Sequence, residues 1–306
     1  MGYRSLLMRA GGLDAAQLAR FGADLAECRE RLREIGFRIG GDPVAAMVGE
    51  AKLFRANLVF AAGWPLGAPS SALVPAAVSI ELLHLASLVH DDIIDEAVER
   101  RGVPALHVTV GRSRALVLGD LLIVAGFDAI GKVQGQVPAE VFASAVDALS
   151  EGAQLCCIGQ LEELDPDAGV LSEERYLEIV AKKAGSLFSV AACLGALIAT
   201  SADDELAALA ALGTELGIAY QIRDDLRDGG EGEPASRFLP TFETYARALD
   251  RVRSALHRVP AASNGALRAL VEAALDASAA PGYAYLPLAS SSAPAPTADR
   301  PAPAGE

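Results

Sequence analysis

Residues 90–102 read HDDIIDEAVERRG and set Asp91, Asp92 and Asp95 ahead of the adjacent pair Arg100 and Arg101. Carboxylates at i, i+1 and i+4 crowd one side of a helix end, because residues four apart stack on the same face. Holding like charges that close costs free energy unless a cation lies between them. Mg²⁺ takes few protein carboxylates and fills its other positions with water and phosphate oxygens. The neighbouring arginines suit bidentate phosphate contacts. Acid, metal and base together describe a site for a diphosphate.

A second copy strengthens that reading. Residues 220–228, YQIRDDLRD, place Asp224, Asp225 and Asp228 at the same spacing. In a chain with 40 acidic residues, one such cluster alone reads as a solvated helix end. Two clusters, each preceded by a long apolar helical run, read as two acidic walls facing each other across a pocket.

The elements that must hold those walls are helical by composition. Hydrophobic residues make up 52% of the 306-residue chain, aromatics only 5%. Such a balance favours packed helices over a β-sandwich, in one large domain or two small ones. The net charge of −14 excludes nucleic acid as an expected partner. An anionic substrate must therefore be captured by local Arg/Lys clusters or by metal. Cys28, Cys156, Cys157 and Cys193 show neither metal-ligand spacing nor a disulfide framework, and the adjacent pair reads as two small helix residues. A reducing cytoplasm is expected, and no signal peptide is visible at the N-terminus. The apolar runs 58–83 and 184–200 read as buried core helices, so no transmembrane segment is expected.

Periodicity predicts helices over about 13–36, from Asp42 to before Gly63 (carrying Lys52 and Arg55), from Ser70 or Ser71 to Asp95, and over 112–132, 138–162, 172–200, 202–228, 240–258 and 262–279. Gly185 is a potential break in the 172–200 helix, and Ser201 to Asp204 reads as a capping box. No β-hairpin signal is convincing. The helical domain is assigned to 1–280, and the Ala/Pro/Ser-rich residues 281–306 to a disordered tail. Gly229–Pro234 reads as a polar, flexible stretch, suited to a lid or a plain linker.

Ordered strings now point to a family. ELLHLASLVHDDIIDEAVERRG (81–102), LGD (118–120), GQ (159–160), KAGSLF (183–188) and LGIAYQIRDDLRD (216–228) resemble the trans-polyprenyl diphosphate synthases, of the class I isoprenoid synthase fold. The resemblance covers roughly 40–260. It implies an all-α helical bundle around a deep central cavity, a homodimer, and three Mg²⁺ ions between the aspartate clusters. It further implies ionisation of an allylic diphosphate and attack on the cation by isopentenyl diphosphate, giving a longer trans chain. Charge neutralisation of the leaving diphosphate and a closed apolar cavity are the chemical needs.

By resemblance, Asp91 and Asp95 ligate metal, with Asp92 supporting or ligating. Asp224 ligates from the other wall, helped by Asp225 and Asp228. Arg100 holds the allylic diphosphate, with Lys183 and Gln221 on that side. Arg101, Lys52, Arg55 and His84 hold isopentenyl diphosphate. A bulky aromatic four or five residues before the first aspartate stops the growing chain in this family; here Ser87 and Ala86 occupy those positions, and Leu83 lies deeper. A long-chain product beyond C20 is the expectation.

Departures are local. GEAKLFRA (49–56) keeps Lys52 and Arg55 but lacks the usual proline; Ala184 replaces a usual Thr, and Arg227 an apolar residue. The stretch GGEGEPASRFLP after Asp228 has no lysine, where the family usually has one or two. Two other readings share the scaffold: a class I terpene cyclase, and a non-catalytic partner subunit of a prenyl synthase.

Overall fold

The computed structural model describes residues 15–49, 51, 53–100, 102–165, 169–199, 202–228, 238–260, 265–268 and 270–271. The helices are α1 (Ala15–Gly40), α2 (Asp42–Gly49), α3 (Phe54–Gly63), α4 (Ser70–Ile94), α5 (Leu106–Val110), α6 (Arg112–Gly131), α7 (Ala139–Glu163), α8 (Glu173–Val180), α9 (Ser186–Ile198), α10 (Asp203–Asp228) and α11 (Phe242–Arg258). A π-helical turn, Ala181–Gly185, joins α8 to α9 without a break. The strands β1 (Glu99–Arg100) and β2 (Val103–Pro104) pair antiparallel, with Arg100 opposite Val103.

Helix α4 is the axis of the bundle. Leu73, Val74, Ala77, Ile80, Leu82 and Leu85 are all buried, so apolar residues cover more than one face. A helix apolar nearly all round must be enclosed by others, and α1, α3, α6 and α9 pack around it. Helix α3 is buried along its whole length. Glycine lets α9 lie almost on its backbone: a Cβ at Gly195 would be 2.1 Å from the Val59 carbonyl oxygen and 2.6 Å from the Gly63 nitrogen.

Most predicted helices form within a few residues of their expected bounds, and three expectations need correction. The helix expected from Asp42 to Gly63 is two helices. Gly49 ends α2, and Leu53 adopts φ 51, ψ 41 before α3 begins. The left-handed residue turns the chain so that both segments bury their apolar sides. Gly185 does not break the 172–200 helix, because the π turn absorbs the change of register there. The ribbon at 99–104 escaped prediction because two-residue strands are too short for alternation to register. Ser201, residues 272–306, which include the expected tail, and the 229–234 stretch lie outside the described residues.

Among the described residues, three helical spans are long and apolar enough to cross a membrane by length and composition alone: Ser70–Ile94, Ala139–Glu163 and Glu173–Ile198. The first and third bury 83% and 72% of their most apolar window inside the bundle, as core helices do. Helix α7 buries only 22% of its window.

The α3–α9 crossing makes a stability prediction. Gly195→Ala forces a Cβ into backbone that cannot yield, and should cost about 1–3 kcal/mol. Thermal denaturation followed by circular dichroism should show Tm lowered by roughly 2–5 °C. Gly131→Ala, where a Cβ would meet nothing within 4 Å, should leave Tm unchanged.

Candidate functional site

The first wall is the C-terminal turn of α4. Asp91 and Asp95 are half-buried, while Asp92 is buried. The ribbon folds back over this end, turning at Gly102 with φ 82. It thereby delivers Arg100, whose Nε and Nη2 donate to Asp92 Oδ1 at 2.6 and 2.5 Å. Burial pushes the Asp92 carboxyl up, and the Arg100 guanidinium offsets only part of that rise. Asp95 is raised by burial and then by the charge of Asp91. Helix α6 braces the wall from outside. Its Gly119 leaves room for the His90 ring, which a Cβ there would meet at 2.2 Å, and Asp120 lies 3.5 Å from His90 Nε2. The LGD string is thus a packing device.

The second wall is the last turns of α10. Asp225 accepts from Gln221 Nε2 at 2.8 Å and from the Tyr176 hydroxyl of α8. Burial raises its carboxyl, and those two hydrogen bonds oppose the rise. Asp224 pairs with Arg223 at 3.0 Å, and the Arg223 guanidinium lies 4.1 Å from the centre of the Tyr220 ring. The charge of Asp224 acts on Tyr245 of α11, whereas Asp225 feels the charge of Lys183. Asp228 closes the helix; its side chain, with Lys52 and Arg101, lies outside the described residues.

Lys183 joins the two walls. It stands on the π turn, largely buried, and its Nζ donates to Glu163 Oε2 of α7 at 2.5 Å. Gln160 donates to the same oxygen at 3.2 Å. Beside it Lys182 reaches Glu162 at 2.6 Å. The close approach depends on Gly159, where a Cβ would lie 2.4 Å from the Lys183 nitrogen. On the other side a Cβ at Gly217 would lie 2.6 Å from the Gly185 Cα, so α10 also presses on the turn. The Lys183 charge lowers both Asp95 and Asp225, and the Glu163 charge raises both. The two aspartate clusters therefore share one electrostatic environment.

The basic residues assigned to a second diphosphate adjoin it. Arg55 is buried, with its guanidinium 4.2 Å from the centre of the Phe188 ring. Phe188 packs in turn on Phe54 and Tyr220, each with centroids 5.5 Å away. His84 is half-buried on α4, two turns before Asp91. Cys156 marks the shared ground. Burial pushes its thiol up to about 12, and it also feels Arg55, Asp91 and Lys183.

Of the residues tied to product length, Ala86 and Leu83 are closely packed. The Leu83 Cδ2 lies 3.2 Å from where a Cβ of Gly126 would be, so it fills the contact with α6. Ser87 is half-buried, and its hydroxyl donates to the His84 carbonyl at 2.8 Å.

Divalent metal fits this donor set. Among the described residues no group of three or more His, Cys, Asp or Glu is placed to cage an ion. An ion that takes few protein carboxylates and keeps water and phosphate oxygens asks for no such cage. Burial, and then the neighbouring carboxylate charges, raise Asp95 and Asp225, and a divalent cation there would oppose both effects. Sequence reasoning missed Glu163 and Tyr176. Glu163 follows Gly159 by four residues and so shares its face, which was a usable signal. Tyr176 left none.

A pH and stability prediction follows. Asp95, raised in the fold, binds its proton more tightly there than in the unfolded chain. Its contribution is most favourable below the ordinary value of 3.8 and is lost as pH rises through the raised one. Asp95→Asn should therefore raise the Tm of the metal-free protein at pH 7. The gain should vanish as pH falls toward 4, and added Mg²⁺ should stabilise the wild type more than the variant.

Comparison with known proteins places this geometry. The family model described as polyprenyl synthetase matches residues 41–234. A geranylgeranyl diphosphate synthase of Mycobacterium tuberculosis is 33% identical over 288 residues, 86% of this chain and 79% of that protein. One from Methanosarcina mazei is 36% identical over 178 residues, 58% of this chain, and the match spans only about half of that relative's length, 54%. The crystal structure of a geranyltransferase from Helicobacter pylori, complexed with magnesium and isoprenyl diphosphate, aligns with a TM-score of 0.69 at 20% identity. It covers 85% of this chain and 98% of that one, and it shares the all-α isoprenoid synthase fold. Since the matched span contains both aspartate clusters, Arg100 and Lys183, the chain belongs to the polyprenyl synthetase family.

Proposed function

We propose that the protein is a trans-prenyltransferase that joins isopentenyl diphosphate to an allylic diphosphate, with Mg²⁺ held at the two aspartate clusters. The observation that carries this reading is the position of Lys183, whose charge acts on Asp95 of one cluster and Asp225 of the other. The magnesium and isoprenyl diphosphate in the Helicobacter pylori complex agree with it.

In this reading Asp91, Asp95 and Asp224 hold the metal, with Asp92, Asp225 and Asp228 around them. Bound Mg²⁺ would supply charge neutralisation for a departing diphosphate. Arg100, Lys183 and Gln221 orient that diphosphate. Lys183 would turn from Glu163 toward phosphate, and the metal would offset the carboxylate charge that this leaves behind. Arg55, His84, Lys52 and Arg101 bind the second diphosphate. The apolar flanks of α3, α4 and α9 keep water from the cation. Small Ala86 and Ser87 support a product beyond C20.

A second copy of the chain is the expected partner. Leu116, Val117, Leu121 and Val124 of α6 are 43–64% exposed, an apolar stripe that an isologous dimer would cover. The four cysteines are free, in keeping with a cytoplasmic setting. Light scattering coupled to size exclusion should give a dimer mass, and Val124→Glu should shift it toward monomer.

Incubation with Mg²⁺, isopentenyl diphosphate and primers from C10 to C20, with products sized by mass spectrometry, tests the chemistry. Elongated diphosphates are expected. A hydrocarbon or alcohol from the primer alone would mean a cyclase, and no product without a second protein would mean a partner subunit. Ser87→Phe, at the half-buried position, should shorten the product by one or more units. Ala86→Phe should do the same while lowering Tm, because Ala86 is already enclosed. An unchanged product distribution in both would sink the length assignment.

A further inference from the structure

The turn that presents Arg55 is held by a carboxylate that the chemistry above does not use. Glu81 lies on α4 and is 1% exposed. Its Oε1 accepts from the Ala56 N–H at 2.8 Å, in the first turn of α3. The first N–H groups of a helix lack partners within it, and a side-chain acceptor normally comes from the N-cap residue. Here the N-cap is Leu53, which offers no acceptor. The cap comes instead from another helix, 25 residues along the chain.

Leu53 itself is strained. A φ of 51 suits glycine or asparagine and costs a leucine free energy. Such a conformation persists only where its surroundings over-determine it. The surroundings do so. Leu53 is buried, and the buried Asn57 side chain donates to its carbonyl at 2.5 Å. Arg29 of α1 donates to the carbonyls of Val48 and Ala51 at 3.3 and 3.1 Å. These contacts converge on the segment 48–57, which carries Lys52 and Arg55.

A buried negative charge under an anion site opposes the anion by Coulomb repulsion. Its hydrogen bond to the Ala56 N–H makes a geometric contribution that does not depend on that charge. We infer that Glu81 is a positioning residue: by capping α3 it sets the left-handed turn at Leu53 and so the placement of Arg55 toward isopentenyl diphosphate. The identity of the ligand rests on the function proposed above; the cap would serve any diphosphate.

The test uses the full chain with Mg²⁺ and both substrates, and measures the two KM values separately. Glu81→Ala should raise KM for isopentenyl diphosphate about tenfold, while KM for the allylic primer stays within about twofold and kcat changes little. Glu81→Gln keeps the acceptor and drops the charge, and should stay within about threefold of wild type on both substrates. If Glu81→Ala does not fold by circular dichroism, Glu81→Asp should show the same split, because it withdraws the acceptor by one methylene. Equal rises in both KM values, or no rise for isopentenyl diphosphate, would overturn the inference and leave the proposed function standing. Should the wild type not elongate at all, calorimetry with inorganic diphosphate in the presence of a chelator decides the matter. Without metal only the basic residues can bind. Weaker binding by Glu81→Ala than by wild type supports the role, and equal or absent binding by both refutes it.

Discussion

Lys183 stands among carboxylates contributed by three helices, Glu163 of α7, Asp95 of α4 and Asp225 of α10. Carboxylates withdrawn from water beside one another are costly, and one ammonium group does not balance them. Much of the surrounding structure holds that deficit in place. Gly159 and Gly217 remove side chains so that two helices can close on the π turn. The ribbon carries Arg100 to Asp92. In the function proposed above, that shortage of positive charge is what metal would relieve, and metal would in turn admit a diphosphate to a chain with net charge −14.

The two halves of the site differ in how they are built. The acidic half rests on helix ends, where carboxylates emerge from a core into a shared space. The basic half rests on a buried turn, with Arg55 pressed over Phe188 and its backbone fixed from α1 and α4. Helix ends can exchange partners as ligands arrive, as Lys183 can leave Glu163. A buried turn cannot move without disturbing the core around it.

The helical class, most helix bounds and the position of both aspartate clusters at helix ends were legible because each rests on local signals: period, caps and carboxylate spacing. What escaped was set by tertiary contact. Leu53 carries no propensity for a left-handed turn, and only its neighbours impose one. The ribbon is too short to leave a pattern. Tyr176 is an ordinary aromatic of an amphipathic helix until α10 places Asp225 within reach of its hydroxyl. Glu163 read as one acid among many, although Gly159 one turn earlier marked the face on which it would meet Lys183. The glycines of LGD, GQ and KAGSLF were visible as strings, but the reason for each lies in what a Cβ would strike.

The π turn at Ala181–Gly185 sets the phase between two halves of one long helical rod. Before it, Tyr176 faces Asp225; after it, Phe188 faces Phe54 and Tyr220. An α-helix advances about 100° per residue, so one extra residue in a turn offsets everything upstream by that angle. Deleting a single residue there would restore a plain α-helix and rotate Tyr176 a quarter-turn or more away from α10, with the aromatic packing beyond it untouched. The rod thus meets α10 on both sides of the joint, at Asp225 before it and at Tyr220 after it, and Lys183 sits at the joint.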